Sequence, residues 1–143
     1  MKVVINNQYG GFGLSRMAER RYLKLKGKEA FFYQQTEWGV QGSGDVYKRV
    51  DDDRQDCFCT FTFTRDYGKT INALPDGDDS GYFYDRDIPR DDPDMIKVVE
   101  ELGEKANGKC ASLKVVEIPD GTEWEIEEYD GNEWVSEKHG TWS

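Results

Sequence analysis

The sequence predicts an α+β fold: two helices packed on a mainly antiparallel sheet, closed by a C-terminal β-hairpin. Three observations carry this expectation. Apolar residues recur at helical spacing over residues 15–26 and again after Asp92-Pro93-Asp94. Residues 57–64 alternate at period two, as a half-buried strand does. The tail carries three short β-rich runs, the last two joined by Asp130-Gly131, a turn pair suited to a tight hairpin. Strands and helices therefore fall in an order that segregates them, and 143 residues fit a single domain, 1–143, with an ordinary hydrophobic core.

Residues 2–6 form the first strand and run into a glycine-rich turn, where Gly10, Gly11 and Gly13 permit positive φ. Ser15 stands at the N-cap position of the first helix. Leu14, Met17, Ala18, Tyr22 and Leu25 make its apolar stripe, Arg16, Arg20 and Lys24 line a basic one, and Gly27 ends it. Ala30 to Tyr33 reads as a strand. From Gln34 to Asp56 the pattern is mixed, with Gly39, Gly42, Gly44 and the acidic run Asp51 to Asp53, a loop or irregular hairpin. In the strand over 57–64, Cys57, Cys59, Phe61 and Phe63 share one face, and Phe58, Thr60, Thr62 and Thr64 the other. Tyr82 to Tyr84 adds a short strand. Asp92 caps the second helix with Pro93 at its first position and Asp94 on the positive end of its dipole. Met95, Val98, Val99, Leu102 and Ala106 form its buried stripe, and Gly108 after Asn107 is its expected stop. Strands are expected at 113–118, 123–129 and 133–138.

Composition narrows the function. Hydrophobic residues make up 36% of the chain and aromatics 13%, so Tyr, Trp and Phe carry much of the buried area. No run approaches a membrane span, and Asn6 and Asn7 break the N-terminal apolar run too early for a secretory signal. Cys57, Cys59 and Cys110 are odd in number and lack Cys-x-x-Cys spacing, which suits reduced thiols in a cytoplasm. The net charge of −10 is unevenly distributed: residues 16–28 hold six cations against Glu19, a local +5, leaving −15 on the remainder. Such an acidic body repels nucleic acid and attracts basic protein surfaces, although acidity also serves solubility alone.

Four sites are candidates. Tyr9, Gly10, Gly11, Phe12, Gly13 and Ser15, with the cations Arg16 and Arg20, can cradle an anion at a helix N-terminus. The spacing matches neither a P-loop nor the dinucleotide fingerprint, so a plain strand-to-helix turn produces the same pattern. Asp76, Asp78, Ser80 and Asp87 fall at calcium-loop positions with Gly81 at the sixth, but proline-containing flanks replace the expected helices. His139 is the one histidine, and Cys57 and Cys59 sit where cysteine acts as a small hydrophobe, so a Cys–His pair has little support. Glu123, Glu125 and Glu127 share a strand face that is either solvated or partner-binding, and Trp38, Trp134 and Trp142 stand in polar surroundings as interface anchors.

Two blocks of this chain resemble a family of small proteins carried by bacteriophages and prophages. The first is INNQYGGFGLS at Ile5 to Ser15. The second runs from IPRDDPD at Ile88 to Asp94 through VVEELGEKANG at Val98 to Gly108, LKVVEIP at Leu113 to Pro119 and WEIEEYDG at Trp124 to Gly131, ending at Glu137, His139 and Trp142. The resemblance covers about half the chain and implies a viral setting in a bacterial cytoplasm, without an established chemistry. Two departures stand out: Arg16 follows Ser15 where acidic residues are expected, and residues 34–80 read as a family-variable insert.

These readings lead to an expected non-catalytic binding protein that inhibits a host or anti-phage defence protein through its acidic surface. A binder of a phosphorylated nucleotide at the glycine turn and basic helix is the alternative, and a small nucleotide hydrolase a more distant one. No cofactor, nucleic acid or membrane is expected, and an oligomer is allowed.

Overall fold

The computed structural model describes residues 1–41, 43–51, 60–121 and 123–137. Within them the fold is α+β, with antiparallel strand pairing throughout. β1 (Lys2–Asn6) leads through the glycine turn into α1 (Arg16–Leu25). Then come β2 (Phe31–Glu37), β3 (Val46–Val50), β4 (Thr60–Phe63), β5 (Thr70–Ile71) and β6 (Tyr82–Phe83), which form one sheet in the order β5-β3-β2-β4-β6. α2 (Pro93–Leu102) precedes β7 (Leu113–Glu117), which returns to pair with β1. β8 (Trp124–Tyr129) and β9 (Asn132–Glu137) make the C-terminal hairpin. No helix among the described residues is long and apolar enough to cross a membrane.

The main core lies between α1, α2, β1 and one face of the five-stranded sheet. Val4, Leu14, Ala18, Tyr22, Leu23, Phe32, Met95 and Val98 are all buried there. Strand alternation sends Tyr33, next to Phe32, to the opposite face, where it meets Tyr47 and Phe63 in a second cluster. The segment over 34–80, which the sequence leaves as an insert, thus supplies most of a sheet that is packed on both faces. Its hairpin is irregular as expected, with a register shift between Gln35 and Glu37.

Three local expectations are corrected. On α1 the buried face is Ala18, Glu19, Tyr22 and Leu23, while Leu25 is exposed. The apolar stripe is thus rotated, and a carboxylate lies within it. α2 ends at Gly103, whose φ of 59° turns the chain into a 3-10 turn over Gly103–Ala106. Ala106 stays fully buried, so the apolar stripe outlasts the helix that it seemed to define. Of the glycine turn, Gly10 and Gly11 take positive φ and Gly13 does not. The strand expected over 57–64 is described only for Thr60–Phe63, and Cys57 and Cys59 lie outside the described residues.

The hairpin turn docks directly on the glycine turn. Asp130 and Gly131 have φ of 50° and 85°, as a tight two-residue hairpin turn requires. Asp130 carbonyl accepts from Gly10 N–H at 2.9 Å. A Cβ on Gly131 would lie 2.2 Å from Gly11 N, whereas one on Gly121 (φ +78°) meets nothing within 4 Å. Gly131→Ala should therefore cost more than the roughly 1–2 kcal/mol of left-handed strain alone that Gly121→Ala should cost. Urea denaturation of the two variants checks this, and equal losses would contradict the close docking.

Candidate functional site

At the glycine turn, Ser15 is the N-cap of α1, and its hydroxyl accepts from Ala18 N–H at 3.1 Å. Part of the turn is satisfied from within the chain. Leu14 N–H donates to Asp85 Oδ2 at 2.8 Å, and Ser15 N–H donates to Ala106 carbonyl at 2.9 Å. An internal carboxylate thus takes one of the N–H groups of the turn. Arg16 donates to Glu19 Oε1 at 2.5 Å, to Thr62 Oγ1 at 3.0 Å and to Thr60 carbonyl at 2.8 Å. Arg20 donates to Asp51 carbonyl at 3.0 Å and stacks over Phe32. Both arginines thus hold contacts within the protein as well as flanking the turn.

Beside the turn lies a cleft of about 210 Å³, lined by the glycine turn, α1, β4 and the segment from Tyr82 to Arg86. Glu19 is 1% exposed. Burial lifts its carboxyl to about 8 against the opposing pull of Arg16, with Asp85 adding to the rise. Burial also raises the Asp85 carboxyl above its ordinary value, opposed by the Leu14 N–H and Arg16. Burial thus works against ionisation of the Glu19 carboxyl at the cleft, and Arg16 works for it.

The second site is the C-terminal hairpin. Residues opposite one another in an antiparallel pair share a face. The register sets Glu125, Glu127 and Tyr129 beside Ser136, Trp134 and Asn132 on one face, and Ile126 beside Val135 on the other. Glu123, one residue before the strand, continues the acidic row by alternation. Tyr129 (67%) and Trp134 (44%) are exposed, and Trp134 Nε1 donates to Glu127 Oε2 at 2.8 Å. Tyr9 is exposed too and meets Tyr129 edge-on at 6.5 Å, so the glycine turn extends this face. The structure brings together Tyr9, Glu125, Glu127 and Trp134 from the predicted residues and adds Tyr129.

The hairpin is fixed from behind. Glu133 is 8% exposed and receives both terminal nitrogens of Arg90, at 2.5 and 2.9 Å. Glu133 Oε1 also accepts from Asn6 N–H at 2.8 Å. The Arg90 guanidinium carbon lies 3.7 Å from the Phe12 ring centre, so one arginine holds hairpin and glycine turn together. No spacing in the sequence links residues 90 and 133; an acid interrupting an alternating strand was the one available signal.

The remaining candidates lie elsewhere. Trp38 is exposed in the β2–β3 loop and shares no strand pairing with the hairpin. The calcium-loop expectation is corrected: Asp76 and Asp78 belong to a turn before β6, while Asp87 lies in a 3-10 turn beyond it. Ser80 is buried, its hydroxyl accepting from Tyr82 N–H. Among the described residues no three His, Cys, Asp or Glu side chains gather as a metal needs. His139 and Trp142 lie outside the described residues. No family model, curated protein or solved structure matches the chain.

The Glu19 carboxyl gives a pH test. Its folded pKa lies above the ordinary value of 4.5, so the folded state holds a proton that the unfolded chain releases. Stability from this group is full below about pH 4.5 and is lost as pH rises through about 8. Between about pH 5 and pH 7, wild type should lose roughly 2 kcal/mol relative to Glu19→Gln. Parallel pH profiles from chemical denaturation would show that Glu19 is instead ionised and fully paired.

Proposed function

We propose that this chain is a non-catalytic binding protein that engages a basic protein surface through the acidic aromatic face of its C-terminal hairpin. The observation that carries the reading is the exposed set Tyr9, Tyr129 and Trp134 set among Glu125 and Glu127 on a hairpin fixed by a buried ion pair. Aromatic anchors supply contact area at low entropic cost, and surrounding carboxylates steer and select a cationic partner. Support also comes from the net charge of −10, which favours encounter with basic surfaces over nucleic acid. The resemblance to bacteriophage and prophage proteins supports an inhibitor of a host or anti-phage defence component, acting in the bacterial cytoplasm.

The expected behaviour is specific. A partner recovered from bacterial lysate and then purified should bind the wild-type chain more weakly as salt rises from about 50 to 500 mM. Trp134→Ala with Tyr129→Ala should weaken it by roughly 30-fold or more, the loss typical of a central anchor. Titration calorimetry on the purified pair checks both. A partner bound equally by the variant, or equally at both salt concentrations, would contradict the hairpin face as the binding surface.

A further inference from the structure

The cleft beside the glycine turn has a mouth that the hairpin reading does not use. Tyr82 and Tyr84 stand there in parallel, ring centres 6.4 Å apart and planes within 15°. They are 51% and 43% exposed. Phe83 between them points the other way and packs on Tyr22 in the core. Strand alternation therefore sets both rings half-exposed at the edge of a recess, Tyr82 backed by the Phe63 ring at 5.4 Å, while Phe83 anchors the strand. Parallel exposed rings of this kind are a stacking platform for a planar ligand.

A cation stands next to the platform. The Arg86 guanidinium lies against the bare backbone of Gly11, where a Cβ would come within 2.6 Å of Nη2. Its Nε donates to Phe12 carbonyl at 3.2 Å, which orients the group toward the cleft that it lines. Arg16 and Lys109 also line the cleft. The two carboxyls present are already engaged, Asp85 with Leu14 N–H and Glu19 with Arg16 and Thr62. At about 210 Å³ the cleft is smaller than the roughly 300–1,000 Å³ of drug-sized sites, which restricts a ligand to one ring system. The acidic body opposes a polyanion, so one anionic group is the limit.

We propose that this cleft binds a small anion with one planar ring, the ring on Tyr82 and Tyr84 and a single phosphate or carboxylate, attached directly or through a sugar, on Arg86. The site is independent of the hairpin face and stands or falls without it. It keeps the glycine turn as one wall and moves the anion from the basic helix to Arg86.

Titrations monitored by amide NMR, with uridine 5′-monophosphate and with orotate up to about 5 mM, test it. Uridine alone and inorganic phosphate alone serve as half-ligands. At least one of the two ring anions should saturate, shifting amides of Gly10 to Leu14 and Tyr82 to Arg86, and whichever does identifies the anionic group. Each half-ligand should bind at least about tenfold more weakly. Arg86→Ala should weaken the ring anion about tenfold and leave uridine unchanged, while Tyr84→Ala should weaken both. Both side chains are exposed, and a thermal melt confirms that each variant folds. Failure of both ring anions to saturate, shifts confined to other residues, or binding unaffected by either variant would overturn the proposal.

Discussion

The structure depends on one buried ion pair and the asparagine beside it. Arg90 and Glu133 meet through two hydrogen bonds, and Glu133 also receives Asn6 N–H. Asn6, fully buried, donates through its amide to Gln8 and Gly131 carbonyls and accepts from Ser112 N–H. Four stretches distant in sequence thus converge on two polar side chains: β1, the approach to α2, the start of β7 and the hairpin. A buried carboxylate without its arginine would cost on the order of 3–5 kcal/mol, so the arrangement is all-or-none. Apolar contacts could pack a two-stranded hairpin against β1 in several registers. A bidentate pair admits one.

That constraint also connects fold to function. Because Glu133 faces inward, alternation turns Trp134 outward next to Glu127. Because Arg90 stacks on Phe12, the glycine turn is held close enough to lend Tyr9 to the same face. The exposed aromatics are therefore preorganised by buried charge. A second buried carboxyl, Glu19, does comparable work at the other end of the turn, joining α1 to β4 through Arg16 and Thr62. Part of the charge segregation visible in the sequence is resolved by ion pairs within the chain. Lys26 meets Asp92 and Asp94, and Arg49 meets Asp66.

The α+β class, both helices, the Ser15 and Asp92 caps and the Asp130-Gly131 turn were legible because each follows from local periodicity or turn chemistry. The acidic row Glu123, Glu125 and Glu127 was legible for the same reason. What stayed hidden was long-range. Glu19 read as one anion in a basic helix, since only the folded chain brings Thr62 to it. Asp85 at Leu14 N–H joins residues 71 apart with no spacing rule to announce it. The five-stranded sheet was underestimated because β5 has two residues, too short to show a period, and β3 lies in the mixed stretch read only as a loop or irregular hairpin.

The most direct test of the central claim is amide hydrogen exchange on Glu133→Ala beside wild type. If the pair holds the hairpin in place, protection should fall at Asn6 and across β8 and β9, while the α1 and α2 amides in the main core keep theirs. Unchanged protection in the hairpin, or an equal loss in hairpin and helices, would contradict the local role assigned to Arg90 and Glu133.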